Sequence, residues 1–153
     1  MAGTVRLYTT IQDAINAAAD GQAIRVEAGT YAENITVDKA IAIAGDPGVQ
    51  VGTGSGVAVN ITAVSAGNTV SVSGLEIDGA SSGIKVASTA ELALVEIDNV
   101  SVTNSATVGF IAGDTELVDA ISITNSHFEN NALGAANTGD IIIFEYNGDV
   151  TIT

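Results

Sequence analysis

The chain has 153 residues, enough for one domain with its own core, and a hydrophobic share of 46% excludes intrinsic disorder. Four Lys and Arg against 18 Asp and Glu leave a net charge of -14, which argues against nucleic-acid partners and anionic membrane surfaces. With no Cys there is no disulfide framework, thiol nucleophile or cysteine-held zinc, and no apolar run reaches the ~20 residues of a membrane helix.

Met1-Ala2-Gly3 runs into a polar stretch without the charged and apolar regions of a signal peptide. Scarce Lys, absent Cys and abundant Gly, Ala, Thr, Asn and Ser lead us to expect an extracellular, cell-surface or virion-surface protein. Aromatic residues are only 4%, so Ala, Val, Ile and Leu must build the core.

One helical pattern occurs, over residues 10–19, within a cap at residues 9–21. Ile11, Ala14, Ile15 and Ala18 share one face, Thr10 suits the N-cap with Asp13 at N3, and Gly21 suits the stop. Beyond it apolar residues alternate with period 2 in short strands, as in Ile24-Arg25-Val26, Asn34-Ile35-Thr36-Val37, Ala40-Ile41-Ala42-Ile43 and Val70-Ser71-Val72.

These strands repeat. From Ile43 the steps to Val72, Ile97, Ile123 and Ile152 are 29, 25, 26 and 29 residues, a solenoid period. One column reads Ile41, Val70, Val95, Ile121, Val150 and another Ile43, Val72, Ile97, Ile123, Ile152. β-Branched residues at every level are what stacked parallel strands require inside. The column between them, Ala42, Ser71, Glu96, Ser122, Thr151, is small or polar and faces outward. A corner column reads Gly45, Gly74, Asn99, Asn125 and a second reads Gly79, Asn104, Asn130. Gly and Asn tolerate left-handed backbone, and stacked Asn side chains can hydrogen-bond from level to level. A third inward ladder is Ile77, Val102, Phe128. The expected fold is all-β: a right-handed parallel β-helix, a single domain over 1–153, with an N-terminal capping α-helix and coils over 22–153, the last incomplete. A leucine-rich repeat lacks its consensus here, and a β-sandwich would not hold such in-register columns.

Ile11-Gln12-Asp13-Ala14-Ile15, Asp20-Gly21, Ile24-Arg25-Val26, Gly29-Thr30-Tyr31, Glu33-Asn34-Ile35 and Ile41-Ala42-Ile43-Ala44-Gly45 resemble the opening of pectin methylesterases. More broadly they resemble right-handed β-helices of the pectin-lyase-like superfamily. The resemblance covers residues 8–48 by motif and implies a capping helix followed by first coils. Gly29, Tyr31 and Glu33 match the family's early G-x-Y-x-E motif, where we expect Gly to make a turn and Tyr to pack the first coil.

The family's chemistry does not follow from the residues present. The esterases' paired Asp, Arg and oxyanion-stabilising Gln on one sheet face have no counterpart, because Gln12, Gln22, Gln50, Arg6 and Arg25 all precede the matched repeats. Lys85 is the lone mid-chain cation, so the lyases' base beside calcium ligands is missing, and the polygalacturonase motifs are absent. These gaps argue against catalysis. His127 is the sole His and is expected to be an outward surface residue. Glu76 with Asp78 and Glu96 with Asp98, spaced i, i+2, each share a strand face and are the candidate ligand-binding carboxylates for a sugar. Asp114, Glu116 and Asp119 form a hard-oxygen set that would suit calcium, with solvated acidic loops as the alternative. No other cofactor is expected.

The leading functional expectation is a non-catalytic structural or interaction module of a secreted, surface or phage-associated assembly. The runner-up is a polysaccharide-binding module or the N-terminal part of a carbohydrate-active enzyme; ice binding through Thr124 and Thr153 is a third, in a column interrupted by Ala44, Ser73 and Asp98. Val150, Thr151, Ile152 and Thr153 supply the first strand of a coil with no corner after it. The expected partner is therefore a second copy stacked end to end, or the remainder of a longer β-helix. Residues 4–9 alternate like a strand, which makes Val5 and Leu7 candidates for that pairing.

Overall fold

The structure, a computed structural model, describes residues 6–113, 117–131, 139–144, 146 and 148–153. Its strands form a parallel β-solenoid of about 4 turns. The first face stacks β1 (Ala23–Val26), the front halves of β4 (Ala42–Val51) and β6 (Thr69–Asp78), then β8 (Leu94–Asp98), β11 (Ala120–Thr124) and β14 (Asp149–Ile152). The second face holds β2 (Gly29–Tyr31), the rear halves of β4 and β6, β9 (Ser101–Thr103) and β12 (His127–Glu129). The third stacks β3 (Ile35–Val37), β5 (Val57–Ile61), β7 (Ser82–Val86), β10 (Val108–Gly113) and β13 (Gly139–Phe144).

The apolar columns set this stacking. Val70, Val95, Ile121 and Val150 are register partners, as are Ile43, Val72, Ile97, Ile123 and Ile152. Up to β11 these residues are buried, and each level removes β-branched side chains from water at about 25 cal/mol per Å². Val70–Val72 runs parallel to Val95–Ile97, which rules out the sandwich alternative. The third face carries columns that the repeat did not reveal: Ile35, Val59, Ile84, Phe110, Ile141 and Val37, Ile61, Val86, Ala112, Ile143. Its outward column, Thr36, Asn60, Lys85, Ile111, Ile142, turns apolar toward the C-terminus, so the period-2 signal fades there.

Left-handed corners occur at Gly74, Asn99 and Asn125 (φ 68, 51 and 49°) and at Gly79, Asn104 and Asn130 (φ 70, 56 and 57°). Gly45 differs from its expected role. Its backbone is not left-handed; Gly48 takes that conformation (φ 91°), and the pairing of β4 with β6 slips between Ala44 and Val49. Gly45 is required for space instead, since a Cβ there would lie 2.5 Å from the Gly74 carbonyl oxygen. The Asn side chains also do not bond to one another among the described residues. Asn125 Nδ2 and Thr124 Oγ1 donate to Asp98 Oδ1 at 2.8 and 2.7 Å. Asn104 Nδ2 and Thr103 Oγ1 donate to Asp78 Oδ1 at 2.7 and 2.9 Å. Each clip joins an Asp just before one corner to the Thr-Asn pair of the next rung.

Helix α1 (Ile11–Ala17) buries Ile11 and Ile15 against the first rung and is shorter than expected. Thr10 Oγ1 accepts the Asp13 N–H at 3.0 Å, as its N-cap position predicts. The two preceding free amides, of Ile11 and Gln12, donate to the Glu33 carboxylate at 2.8 and 3.0 Å. At the other end Lys39 Nζ donates to the Ile15 carbonyl at 3.0 Å, and Gln22 Oε1 takes the Ala19 N–H at 2.9 Å, so the chain turns extended at Ala18. The Gln12 amide pairs with both backbone groups of Thr36, at 2.8 and 3.2 Å, and so closes the edge of β3 as another strand would.

Candidate functional site

The second face presents two outward columns. Thr30, Gln50, Glu76, Ser101 and His127 follow one another in register, and Asp78, Thr103 and Glu129 run beside them. Parallel pairing puts like-facing side chains ~4.8 Å apart, so a linear ligand meets one polar group per rung. Thr30 Oγ1 donates to Gln50 Oε1 at 3.1 Å, and His127 Nε2 lies 3.0 Å from Glu129 Oε2.

Shallow depressions flank the Glu76 column. One, of about 350 Å³, is floored by Thr30, Gln50, Gly52, Asp78 and Thr103. The other, of about 330 Å³, follows the corner past Gly48, Gly74, Asn99, Asn125 and His127. Glu76 and Ser101 line both. His127 is exposed, as expected, and is held by a carboxylate two residues on.

The four candidate carboxylates separate into two settings. Glu76 and Asp78 look out from the second face on β6, and Glu96 and Asp98 look out from the first face on β8. Each i, i+2 pair shares a face, but the corner stands between the pairs, so the four do not line one cleft. Within each pair the Asp is engaged and the Glu is free of side-chain hydrogen bonds among the described residues. The Asn104 amide and then the Thr103 hydroxyl hold the Asp78 carboxyl below the usual carboxylate range, and Asn125 and Thr124 do the same to Asp98. A glycosidic general acid must keep its proton near neutral pH, so its carboxyl is shifted upward. Asp78 and Asp98 are shifted downward and serve as acceptors that join rungs.

Asp114 and Glu116 lie outside the described residues. Asp119 is exposed, its backbone bridging Leu92 and Asp149. No group of three His, Asp or Glu side chains close enough to hold a metal ion occurs among the described residues. Val5 also lies outside them. Leu7 is 89% exposed, and the described part of the stretch expected as a strand, residues 6–9, forms none. Val150 and Ile152 stand 43% and 54% exposed, with Thr151 and Thr153 exposed beside them on β14.

Gln50, Ser101 and Thr103 were not singled out from the sequence; extending the aligned repeat outward from Glu76 and Asp78 reaches Ser101 and Thr103, whereas the register slip between Ala44 and Val49 hides Gln50. No family model matches the chain, and no curated protein matches it.

Proposed function

We propose that the chain is a non-catalytic structural and interaction module, a β-solenoid of the pectin-lyase-like kind, in a secreted, cell-surface or phage-associated assembly. The observation that supports it most is at β14. Val150 and Ile152 continue columns whose preceding members, Ile121 and Ile123, are 1% and 2% exposed, yet they stand largely open on a strand paired with β11. Another parallel rung on that edge would bury both and occupy the remaining backbone groups of β14. A second copy stacked end to end supplies such a rung, with Val5 and Leu7 as candidates to meet it; a longer stretch of the same solenoid does so equally. Sedimentation equilibrium of the chain and of Ile152→Lys tests this reading. Concentration-dependent association that the substitution abolishes supports end-to-end contact. A monomer at high concentration, indifferent to the substitution, overturns it.

A second reading, polysaccharide binding, has its own support in the polar depressions beside Glu76 and Ser101. A glycan array combined with ester- and uronate-hydrolysis assays separates the two. Binding without turnover that Glu76→Gln weakens favours the polysaccharide module, and turnover overturns both readings.

A further inference from the structure

Three Asn-x-Ser/Thr triplets occur in the chain: Asn34-Ile35-Thr36, Asn60-Ile61-Thr62 and Asn99-Val100-Ser101. This is the acceptor pattern for asparagine-linked glycans, and as sequence the three are equivalent. The fold separates them. The Asn34 amide donates to the Ser55 carbonyl at 2.8 Å and its Oδ1 accepts from the Thr53 N–H at 3.3 Å. Its nitrogen is packed so close to Gly56 that a Cβ there would lie 2.7 Å away. Asn60 sits mid-strand on β5, half-buried, with an Oδ1 that has neither exposed surface nor a partner. A sugar at Asn60 would have to displace packed protein, and one at Asn34, although that residue is exposed, would have to break the hydrogen bonds its side chain makes to residues 53–55 and crowd Gly56.

Asn99 differs from both. It is exposed, in left-handed backbone with φ 51° at the corner between the first two faces. Its main chain is fixed on both sides: the N–H donates to the Thr124 carbonyl and the carbonyl accepts from Gly74, each at 3.1 Å. Its side chain makes no hydrogen bond among the described residues. The equivalent amides of Asn104 and Asn125 are spent on Asp78 and Asp98. Below Asn99 the matching residue is Ser73, which offers no carboxylate and turns its hydroxyl to the Ile43 carbonyl at 3.4 Å. The space beside Asn99 is the corner depression, which Gly45, Pro47, Gly48 and Gly74 leave shallow and open.

We infer that Asn99 is the chain's site of asparagine-linked glycosylation, an inference that rests on the secreted or surface placement proposed above. In the transfer, Asn99 Nδ2 bonds to the anomeric carbon of a sugar carried on a polyprenyl diphosphate. The bond from that carbon to the diphosphate oxygen breaks, the amide gives up one proton and the polyprenyl diphosphate leaves. The attached glycan stands at the corner beside Glu76 and Ser101, shielding the second-face depressions from large ligands.

The test is to express the whole chain through a eukaryotic secretory route and map the product by mass spectrometry before and after peptide N-glycosidase. The expected product carries one glycan, and enzymatic release leaves aspartate at position 99. Asn99→Gly, which relaxes the backbone, and Ser101→Ala, which keeps the asparagine, both lose the glycan while keeping the circular dichroism of the parent. A secreted, folded chain without a glycan, or one modified at Asn34 or Asn60 instead, overturns the site. Because the host supplies the secretory route, such a failure is separate from failure of the surface placement, which is read from where the protein resides in its own cells.

Discussion

At Gly45 and Gly74 successive corners meet backbone to backbone, whereas at Asn99 and Asn125 they meet through side chains and hydrogen bonds. The two chemistries serve one geometry. In the lower rungs the absence of a Cβ lets the main chains approach until neither glycine could carry a side chain. In the upper rungs Asn adopts the left-handed conformation at some conformational cost, and where an Asp precedes the corner below, its amide gains a charged acceptor. The lower contact is steric and indifferent to pH. The upper one depends on charge.

The largest effect is expected where the comparison should vanish. Ile97 is fully buried in a column shared by both regions, so Ile97→Asp places an unpaired carboxylate in an apolar interior. That costs several kcal/mol, on the scale of the ~5–15 kcal/mol that holds a domain together, and circular dichroism should show an unfolded chain.

Gly74→Ala should break the steric corner. Left-handed backbone costs an alanine about 1–2 kcal/mol, and its Cβ would also strike the Gly45 carbonyl, for a total above about 2 kcal/mol by urea titration. A loss no larger than that of Asn99→Ala would show that the backbone approach contributes nothing.

The charge of -14 should act on the whole solenoid. Raising salt from about 0.01 to about 0.15 M shortens the Debye length from ~30 to ~8 Å and should raise the melting temperature by several degrees. Stabilisation by micromolar calcium that EDTA reverses would instead favour a metal site around Asp119.

The charged corners should respond more weakly. Asp98→Ala and Asn125→Gly, the latter keeping the left-handed backbone accessible, should each lower the melting temperature by about 2 °C, and the double variant by little more than either, because both remove the same contact. Acid adds a signature. Asp78 and Asp98 hold their protons less tightly in the fold than in the unfolded chain. Their stabilisation is full above the ordinary carboxylate range and is lost as the pH falls through the depressed folded values. Asp98→Asn should flatten the loss of stability below about pH 4, read by thermal melts against the parent. Smallest of all, Asn99→Gly should change stability by no more than about 0.5 kcal/mol, since the Asn99 side chain makes no hydrogen bond among the described residues.

The parallel stacking of the first face, the ladder of Ile77, Val102 and Phe128, and the left-handed corners at Gly74, Gly79, Asn99, Asn104, Asn125 and Asn130 were all readable in the sequence; of the expected corners only Gly45 is not left-handed. These are periodic or local properties: a β-branched residue recurring every rung must face one way, and Gly or Asn just after a strand marks a left-handed turn. The helix was readable for the same reason, though not its early end, because Gln22 and Lys39 act on it from outside its own sequence.

The candidate site was legible only as separate pieces. Glu76, Asp78, Glu96 and Asp98 could be placed on outward phases by alternation alone. That Asp78 and Asp98 are bound while Glu76 and Glu96 are open depends on which residue stands about 26 positions away on the neighbouring rung.

Composition and repeat by themselves determined that this chain winds into stacked parallel rungs around a Val- and Ile-rich interior, because burial of those columns admits no other register. Only the tertiary structure decided that Glu33 serves the helix amides, that Gln12 closes the edge of β3, that Gly48 takes the turn from Gly45, and that Asn99, alone among three equal triplets, is both exposed and free of side-chain hydrogen bonds among the described residues. Each of those outcomes is set by a partner brought close across rungs of unequal length, and spacing along one strand carries no record of what lies beside it.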